Sequence, residues 1–179
     1  MTENESPFME SDDVVGREDP SYTTSRKATT QCARELERLH ADVISGAKAL
    51  HDQALSDKPV IRQSPNRCIV QVGGVALTIA WLQNAMASVA EGELLVILWK
   101  GQVAPALGEV ADRTMRAPAA RSATPLWEGV FVVAADKDDS WYWRESAKNS
   151  TEFTTANLAV DLIDRVRNAL PPMPKPPLA

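Results

Sequence analysis

The sequence predicts an α+β protein: a mainly antiparallel, five- to six-stranded sheet with a long N-terminal helix and a C-terminal helix packed on one face. Three observations lead to this prediction. Two apolar runs are joined by Gly73-Gly74, a continuous apolar run occupies residues 94–99, and helical patterns flank this strand-rich middle. Because consecutive antiparallel strands need only short connections, the strands are expected to pair in chain order.

The two ends of the chain differ in composition from its middle. The first 20 residues carry seven acidic side chains and one basic one, whereas the remaining residues carry 17 acidic and 18 basic ones. Residues 1–27 are predicted to be a disordered acidic tail, because they cannot bury enough apolar surface to offset their chain entropy. Residues 28–170 are predicted to form a single domain. Residues 171–179 form a Pro-rich tail, which is either a terminal spacer or a polyproline-type ligand.

Charge and hydropathy argue against several classes of function. The near-neutral domain lacks the positive charge of a general nucleic-acid binder, so nucleic-acid binding by the sheet is the weakest hypothesis. No run approaches the roughly 18 apolar residues of a membrane span, and the acidic N-terminus lacks the apolar segment of a secretory signal. These features predict a cytoplasmic protein with no membrane partner. Cys32 and Cys68 are expected to be buried small apolar residues rather than a disulfide.

The first helix is predicted from about Thr29 to Leu55. Its apolar residues recur at spacings of three and four, Thr29 or Thr30 can cap its N-terminus, and Pro59 ends it. The only two histidines, His40 and His51, lie beside this apolar stripe. They are three turns and about 16 Å apart, too far to share a metal ion or a proton. Each is interpreted as a helix-boundary residue, and the alternative is that one of them is a general base.

The hairpin around Gly73-Gly74 predicts both a register and a buried face. A two-residue turn pairs Val72 with Val75, and the alternation of strand side chains then separates two sets of residues. The bulky apolar set is assigned to the core: Cys68, Val70, Val72, Val75, Leu77, Ile79 and Trp81. The smaller and more mixed set is expected to be poorly covered, because two helices shield only one face: Ile69, Gln71, Ala76, Thr78, Ala80 and Leu82.

The other elements follow from shorter patterns. Four further strands are predicted: an edge strand at 59–62, a central strand at 94–99, and two strands at 126–134 and 140–144. Residues 151–154 are expected to be extended. The closing helix begins after Thr155, carries a stripe of leucines and valine at spacings of four, and is supported by an Asp161–Arg165 pair.

The segment 100–125 is predicted to be a long mobile loop. It contains Arg113, Arg116 and Arg121, which could receive an acidic group from a partner or a substrate. Acidic residues in the same segment reduce its positive charge and weaken the case for an anion-binding site. The alternative interpretation is an insertion between neighbouring strands without a binding role.

Tryptophan is the unusual feature of the composition, with five residues at or near predicted strands. Trp141 and Trp143 must project from the same face of their strand, and Trp127 lies on the strand before it. Because tryptophan is enriched at interfaces, these three form a candidate partner-binding patch. The alternative is that they are ordinary core residues packed against the helices.

No motif in the chain carries catalytic or cofactor chemistry. Phosphate-binding loops, nucleophile elbows and metal-ligand spacings are missing from the sequence, and we expect no catalytic residue, cofactor or metal. The leading hypothesis is therefore a non-enzymatic interaction or adaptor module that associates through its sheet face with a partner protein or with a second copy. The alternative is a small enzyme that holds an anionic substrate between the 100–125 loop and the Trp-rich strands.

Overall fold

The computed structural model describes residues 20–54, 58–83, 88–103, 123–135, 140–147 and 151–171. Both predicted tails, apart from residues 20–27 and 171, and most of the predicted 100–125 loop lie outside these ranges. The helices are α1 (Pro20–Thr23), α2 (Arg26–Ala54) and α3 (Thr155–Ala169), with a 3₁₀ turn at Val89–Glu91. The strands are β1 (Val60–Ser64), β2 (Arg67–Val72), β3 (Val75–Leu82), β4 (Glu93–Lys100), β5 (Thr124–Ala135), β6 (Trp141–Glu145) and β7 (Glu152–Phe153).

All seven strands form one antiparallel sheet in chain order, from β1 to β7. The predicted α+β class is confirmed, but the described sheet has seven strands rather than five to six. The extra strand is β7, in which the extended residues before α3 pair with β6 through Trp143↔Phe153 and Arg144↔Glu152. A two-residue strand is too short to show the alternation that identifies longer strands, so the sequence pattern does not predict its pairing with β6.

The β2–β3 hairpin has the predicted register. Val72 pairs with Val75, Val70 with Leu77, and Cys68 with Ile79. Gly73 adopts a φ of 54°, which glycine reaches without the steric cost that a Cβ would bring. The strand at 94–99 is also central as predicted, since β4 is the fourth of the seven strands.

The start of α2 differs from the prediction. Ser25 caps the helix by accepting a hydrogen bond from the Ala28 amide at 3.2 Å. The hydroxyls of Thr29 and Thr30, which were the predicted caps, instead donate to backbone carbonyls one turn earlier. Residues 20–27 therefore contain α1 and the first residues of α2, although they belong to the segment predicted to be disordered. They are ordered because Thr23 is buried and Tyr22 packs against the core.

Both long helices pack on the same face of the sheet, which we call the covered face. A single apolar core joins the buried stripes of α2 and α3 to the side chains that β2–β6 direct toward this face. The two helices touch closely, because a Cβ added at Gly46 would lie 2.6 Å from Ile163. The bulky side of the hairpin lies in this core, as predicted: Cys68, Val70, Val72, Val75, Leu77, Ile79 and Trp81.

A chain of hydrogen bonds ties the sheet to both helices. The Trp143 Nε1–H donates to the Thr155 hydroxyl at 3.1 Å, and that hydroxyl donates to a carboxylate oxygen of Glu35 at 2.6 Å. The other oxygen of Glu35 accepts from Gln31 at 2.8 Å. Since β6 and α3 each supply one partner and α2 supplies two, the network holds both helices in place on the covered face. Among the described residues, no helix is both long and apolar enough to cross a membrane.

Candidate functional site: the open face of the sheet

The face of the sheet opposite the helices, which we call the open face, carries large apolar side chains that are only partly buried. Strand alternation and the pairing register assign residues to this face. Eight of them are partly exposed and apolar or aromatic: Ile69, Ala80, Leu95, Ile97, Trp99, Val130, Val132 and Tyr142. Leu82, at the end of β3, is 48% exposed on the same face. Leu126, which is also 48% exposed, adjoins this face at the bulge in β5.

The surface of the open face is uneven, because small and large side chains occupy neighbouring strands. The open-face residues of β3 are Ala76, Thr78 and Ala80. They pair directly with Trp99, Ile97 and Leu95 of β4. A shallow column on β3 therefore runs beside a raised column on β4, along the middle of the sheet.

Trp99 is anchored to its small neighbour. Its indole Nε1–H donates to the Thr78 hydroxyl at 3.1 Å, so the ring is tied toward β3. Thr78 and Ala76 are consequently buried, at 5% and 0% exposure, although the sequence predicted poor cover for both. The prediction is wrong for these two residues because the aromatic side chain of the adjacent strand shelters them.

Gln71 was also expected to be poorly covered, but it is 4% exposed. Its Nε2 donates to the carbonyl oxygens of Gly73 at 2.8 Å, Val75 at 3.1 Å and Gly101 at 3.1 Å. Its Oε1 accepts from the Val103 amide at 2.9 Å. The chain that leaves β4 is thus fastened across the hairpin end of the open face, and the partly exposed area begins beyond Gln71.

Charged residues bound the open face with opposite signs. Arg62 of β1 and Arg67 of β2 are exposed on one side, and Glu128 of β5 is exposed on the other. One cross-strand row reads Arg62, Ile69, Thr78, Ile97, Glu128. With about 4.8 Å between strands, its two charges lie about 19 Å apart across an apolar centre. At the far edge, Arg144 and Glu152 form their own ion pair at 3.0 Å.

The candidate Trp residues lie on the covered face, away from this surface. Trp143 is 0% exposed and Trp141 is 7% exposed, with ring centroids 5.7 Å apart. Trp127 is half-buried at the rim, where the Arg165 guanidinium lies 4.1 Å from its ring centroid and pairs with Asp161 at 2.7 Å. Trp141 and Trp143 therefore pack as core residues, which was the alternative interpretation of the sequence.

The other predicted site residues lie outside the described part of the chain. This holds for Arg113, Arg116 and Arg121, and so for the hypothesis of an anionic substrate held against the 100–125 loop. The enzyme hypothesis stays a prediction from the sequence.

Three titratable side chains outside the open face are buried: Cys32, Cys68 and His40. Burial raises the pKa of the Cys32 thiol to about 12, with a smaller contribution from the nearby Glu35 carboxylate, and raises the pKa of Cys68 to about 11. Thiols with such high pKa values are poor nucleophiles at neutral pH. Burial also lowers the pKa of His40. Within the described ranges, His, Cys, Asp and Glu side chains form no group of three that could hold a metal ion.

Two features of the open face were not singled out from the sequence. The opposed charges of Arg62 and Glu128 depend on the pairing of five strands, and the role of Gln71 depends on a contact 30 residues away. The apolar residues of the open face could be recognised from the sequence, because side chains alternate between the two faces along β2–β5. Comparisons of the chain with protein-family models, with curated proteins and with solved structures found no match, so the open face itself is the basis for a functional proposal.

Proposed function

We propose that the protein is a non-enzymatic interaction module that associates with a second copy of itself through the open face. One observation carries this proposal: both long helices lie on the covered face, while β2–β5 direct partly exposed isoleucine, leucine, valine and tryptophan side chains to the other side. Antiparallel sheets often expose one polar face to water, but this face is apolar at its centre. Contiguous apolar surface with a polar rim is typical of interaction sites.

The charges of the open face favour a second copy as the partner. A surface with a basic residue on one side and an acidic residue on the other can be self-complementary in a two-fold dimer, since each copy supplies both signs. The exposed residues that carry these charges are Arg67 and Glu128. Two sheets that meet in this way would form a sandwich about 10 Å thick, with apolar side chains between them.

Sedimentation of the full-length chain at concentrations from about 1 to 100 μM tests the proposal, because weak specific dimers dissociate in that range. We expect a reversible increase from the mass of one chain to the mass of two. Ile97→Lys should shift the midpoint to about tenfold higher concentration, because it places a charge at the centre of the apolar face. Circular dichroism should show that the variant is folded.

Val160→Lys is the matched control. Val160 is 61% exposed on α3, on the helical side of the molecule, so the same gain of charge there should leave association unchanged. A chain that stays monomeric over the whole concentration range would overturn the proposal. So would equal weakening by Ile97→Lys and Val160→Lys, because the open face would then have no special role.

A further inference from the structure

The outer face of α2 carries a stripe of exposed basic side chains. Arg26, Arg34 and Lys48 lie within about 80° of one another around the helix axis, because an α-helix turns by about 100° per residue. The exposed Glu37 lies among them, so three basic residues and one acidic residue leave a net charge of +2. We call these four residues the basic stripe. Among the described residues, its three basic side chains form no ion pair.

Neighbouring charges of the helical layer are paired with each other, in contrast to the basic stripe. Arg38, beside the stripe, lies 3.9 Å from Asp42 on the same helix. The described ion pairs of α3 also lie within that helix, and they join Asp161 to Arg165 and Asp164 to Arg167. The first turn of α2 contains no acidic residue, so the positive end of the helix dipole adds to the charge of Arg26. The stripe therefore presents uncompensated positive charge to an acidic partner.

We propose that the basic stripe binds an acidic segment, and that residues 1–19 of the same chain are this segment. They carry seven acidic side chains and one basic one, a net charge of −6. They precede Pro20, the first residue of α1, which is only six residues before Arg26. An acidic segment tethered at this end of the stripe has a high effective concentration there, so it competes well with acidic partners in solution.

The length of the acidic segment suits the length of the stripe. An unstructured chain of 19 residues spans about 25 Å on average. Arg34 lies about 12 Å from Arg26 along the helix axis, and Lys48 lies about 33 Å from it. The average span therefore covers the first two basic residues, and a more extended chain reaches the third. Because the stripe lies on the helical side of the molecule, this contact is independent of association through the open face.

A spin label in the acidic segment tests the contact in the full-length chain. Ser11→Cys provides a labelling site between two acidic residues. Cys32 and Cys68 are 3% and 0% exposed, so the label attaches to the introduced cysteine. Paramagnetic broadening of backbone amide signals then reports which surface lies near residue 11.

The expected result is broadening that is specific to the basic stripe and sensitive to salt. Ala33 and Ala41 are exposed next to the stripe, and Glu128 is exposed on the open face. At about 50 mM salt, the two alanine signals should be broadened at least about threefold more than the Glu128 signal. At about 0.5 M salt this difference should disappear, because the Debye length falls to about 4 Å.

Charge reversal identifies the residues that hold the segment. Arg26→Glu/Arg34→Glu should remove the broadening of Ala33, because the stripe then repels the acidic segment. Lys58→Glu/Lys100→Glu is the matched control, since it makes the same change in net charge at exposed positions outside α2 and should keep the broadening. Thermal unfolding of both variants reports any loss of fold separately.

A mixture of two preparations separates contact within one chain from contact between copies. One preparation carries the isotope label without the spin label, and the other carries the spin label without the isotope label. We expect no broadening of the stripe in this mixture. Full broadening in the mixture would overturn the proposal, because the segment would then come from a second copy. Equal broadening of Ala33 and Glu128, or equal losses in the two charge-reversed variants, would also overturn it.

Discussion

The same strands supply both faces of this sheet, because successive side chains point to opposite sides. The helices bury one face and leave the other partly exposed. Leu94 and Leu95 are chain neighbours of identical chemistry on the central strand. Leu94 is 0% exposed in the core beneath the helices, whereas Leu95 is only partly buried on the open face. The difference therefore comes from where α2 and α3 pack, and not from any property of the leucines themselves. Because the helices cover only one side of the sheet, the apolar side chains of the other side stay partly exposed.

The two faces also use polar groups differently. On the covered face, Trp143, Thr155 and Glu35 are hydrogen-bonded to one another and connect three elements inside the fold. On the open face, the Trp99 indole bonds to Thr78, and Gln71 holds the chain that leaves β4. The first arrangement fixes the helices. The second ties the Trp99 ring toward β3 and places the 101–103 segment at one end of the open face.

The largest expected effect separates Leu94 from Leu95. Leu94→Ala should lower the free energy of unfolding by about 3 kcal/mol, because it opens a cavity in a closely packed core. Leu95→Ala should lower it by only about 1 kcal/mol, since this side chain already contacts water, and should weaken dimerisation instead. Urea denaturation at low protein concentration measures the stabilities, and sedimentation measures the association. Equal losses of stability would show that the two faces are equally covered.

The next effect concerns the polar end of the open face. Gln71→Leu should lower the free energy of unfolding by about 2 kcal/mol, because it removes four hydrogen-bond contacts of the amide, one of them buried and three part-buried. Hydrogen exchange of the Val103 amide should become faster in this variant. Gln63→Leu, at an exposed position of β1, is the control and should change stability by less than about 0.5 kcal/mol. Unchanged exchange at Val103 would show that Gln71 does not hold this segment.

The smallest effect is a pH dependence of stability that belongs to the covered side. His40 is 1% exposed, and its Nε2 has no hydrogen-bond partner among the described residues. Burial lowers its pKa below the ordinary value of 6.5, so the unfolded chain binds a proton more readily than the folded one. The associated stability is fully present above pH 6.5 and is lost as the pH falls below that value.

Urea midpoints at pH 7.5 and pH 5.5 measure this loss. The midpoint of the wild-type chain should fall on acidification by more than that of His40→Leu, which removes the titrating group and keeps an apolar side chain of similar size. Carboxylates contribute to both chains alike, so the difference between the two slopes isolates His40. Equal slopes would show that His40 takes up its proton without cost in the folded state.

The sequence-based predictions were accurate where a feature depends on residues close together in the chain, and less accurate where it depends on residues far apart. The register around Gly73-Gly74 and the α2 stripe follow from neighbours within a few residues, and both are confirmed. The cap of α2 was assigned to Thr29 or Thr30 and is instead Ser25, because α1 was not visible in a polar leader. Gln71 was expected to be poorly covered, since the segment that buries it lies 30 residues further along the chain.

The sequence by itself determined which side chains share a face of each strand and which residues line the helices, because periodicities of two and about 3.6 residues are built into the backbone. Only the tertiary structure decided which face the helices cover and that Trp141 and Trp143 lie in the core. It also placed Arg62 and Glu128 at the two ends of one cross-strand row. The reason is physical: these features depend on the order of five paired strands and on helix packing, which join residues far apart in the chain.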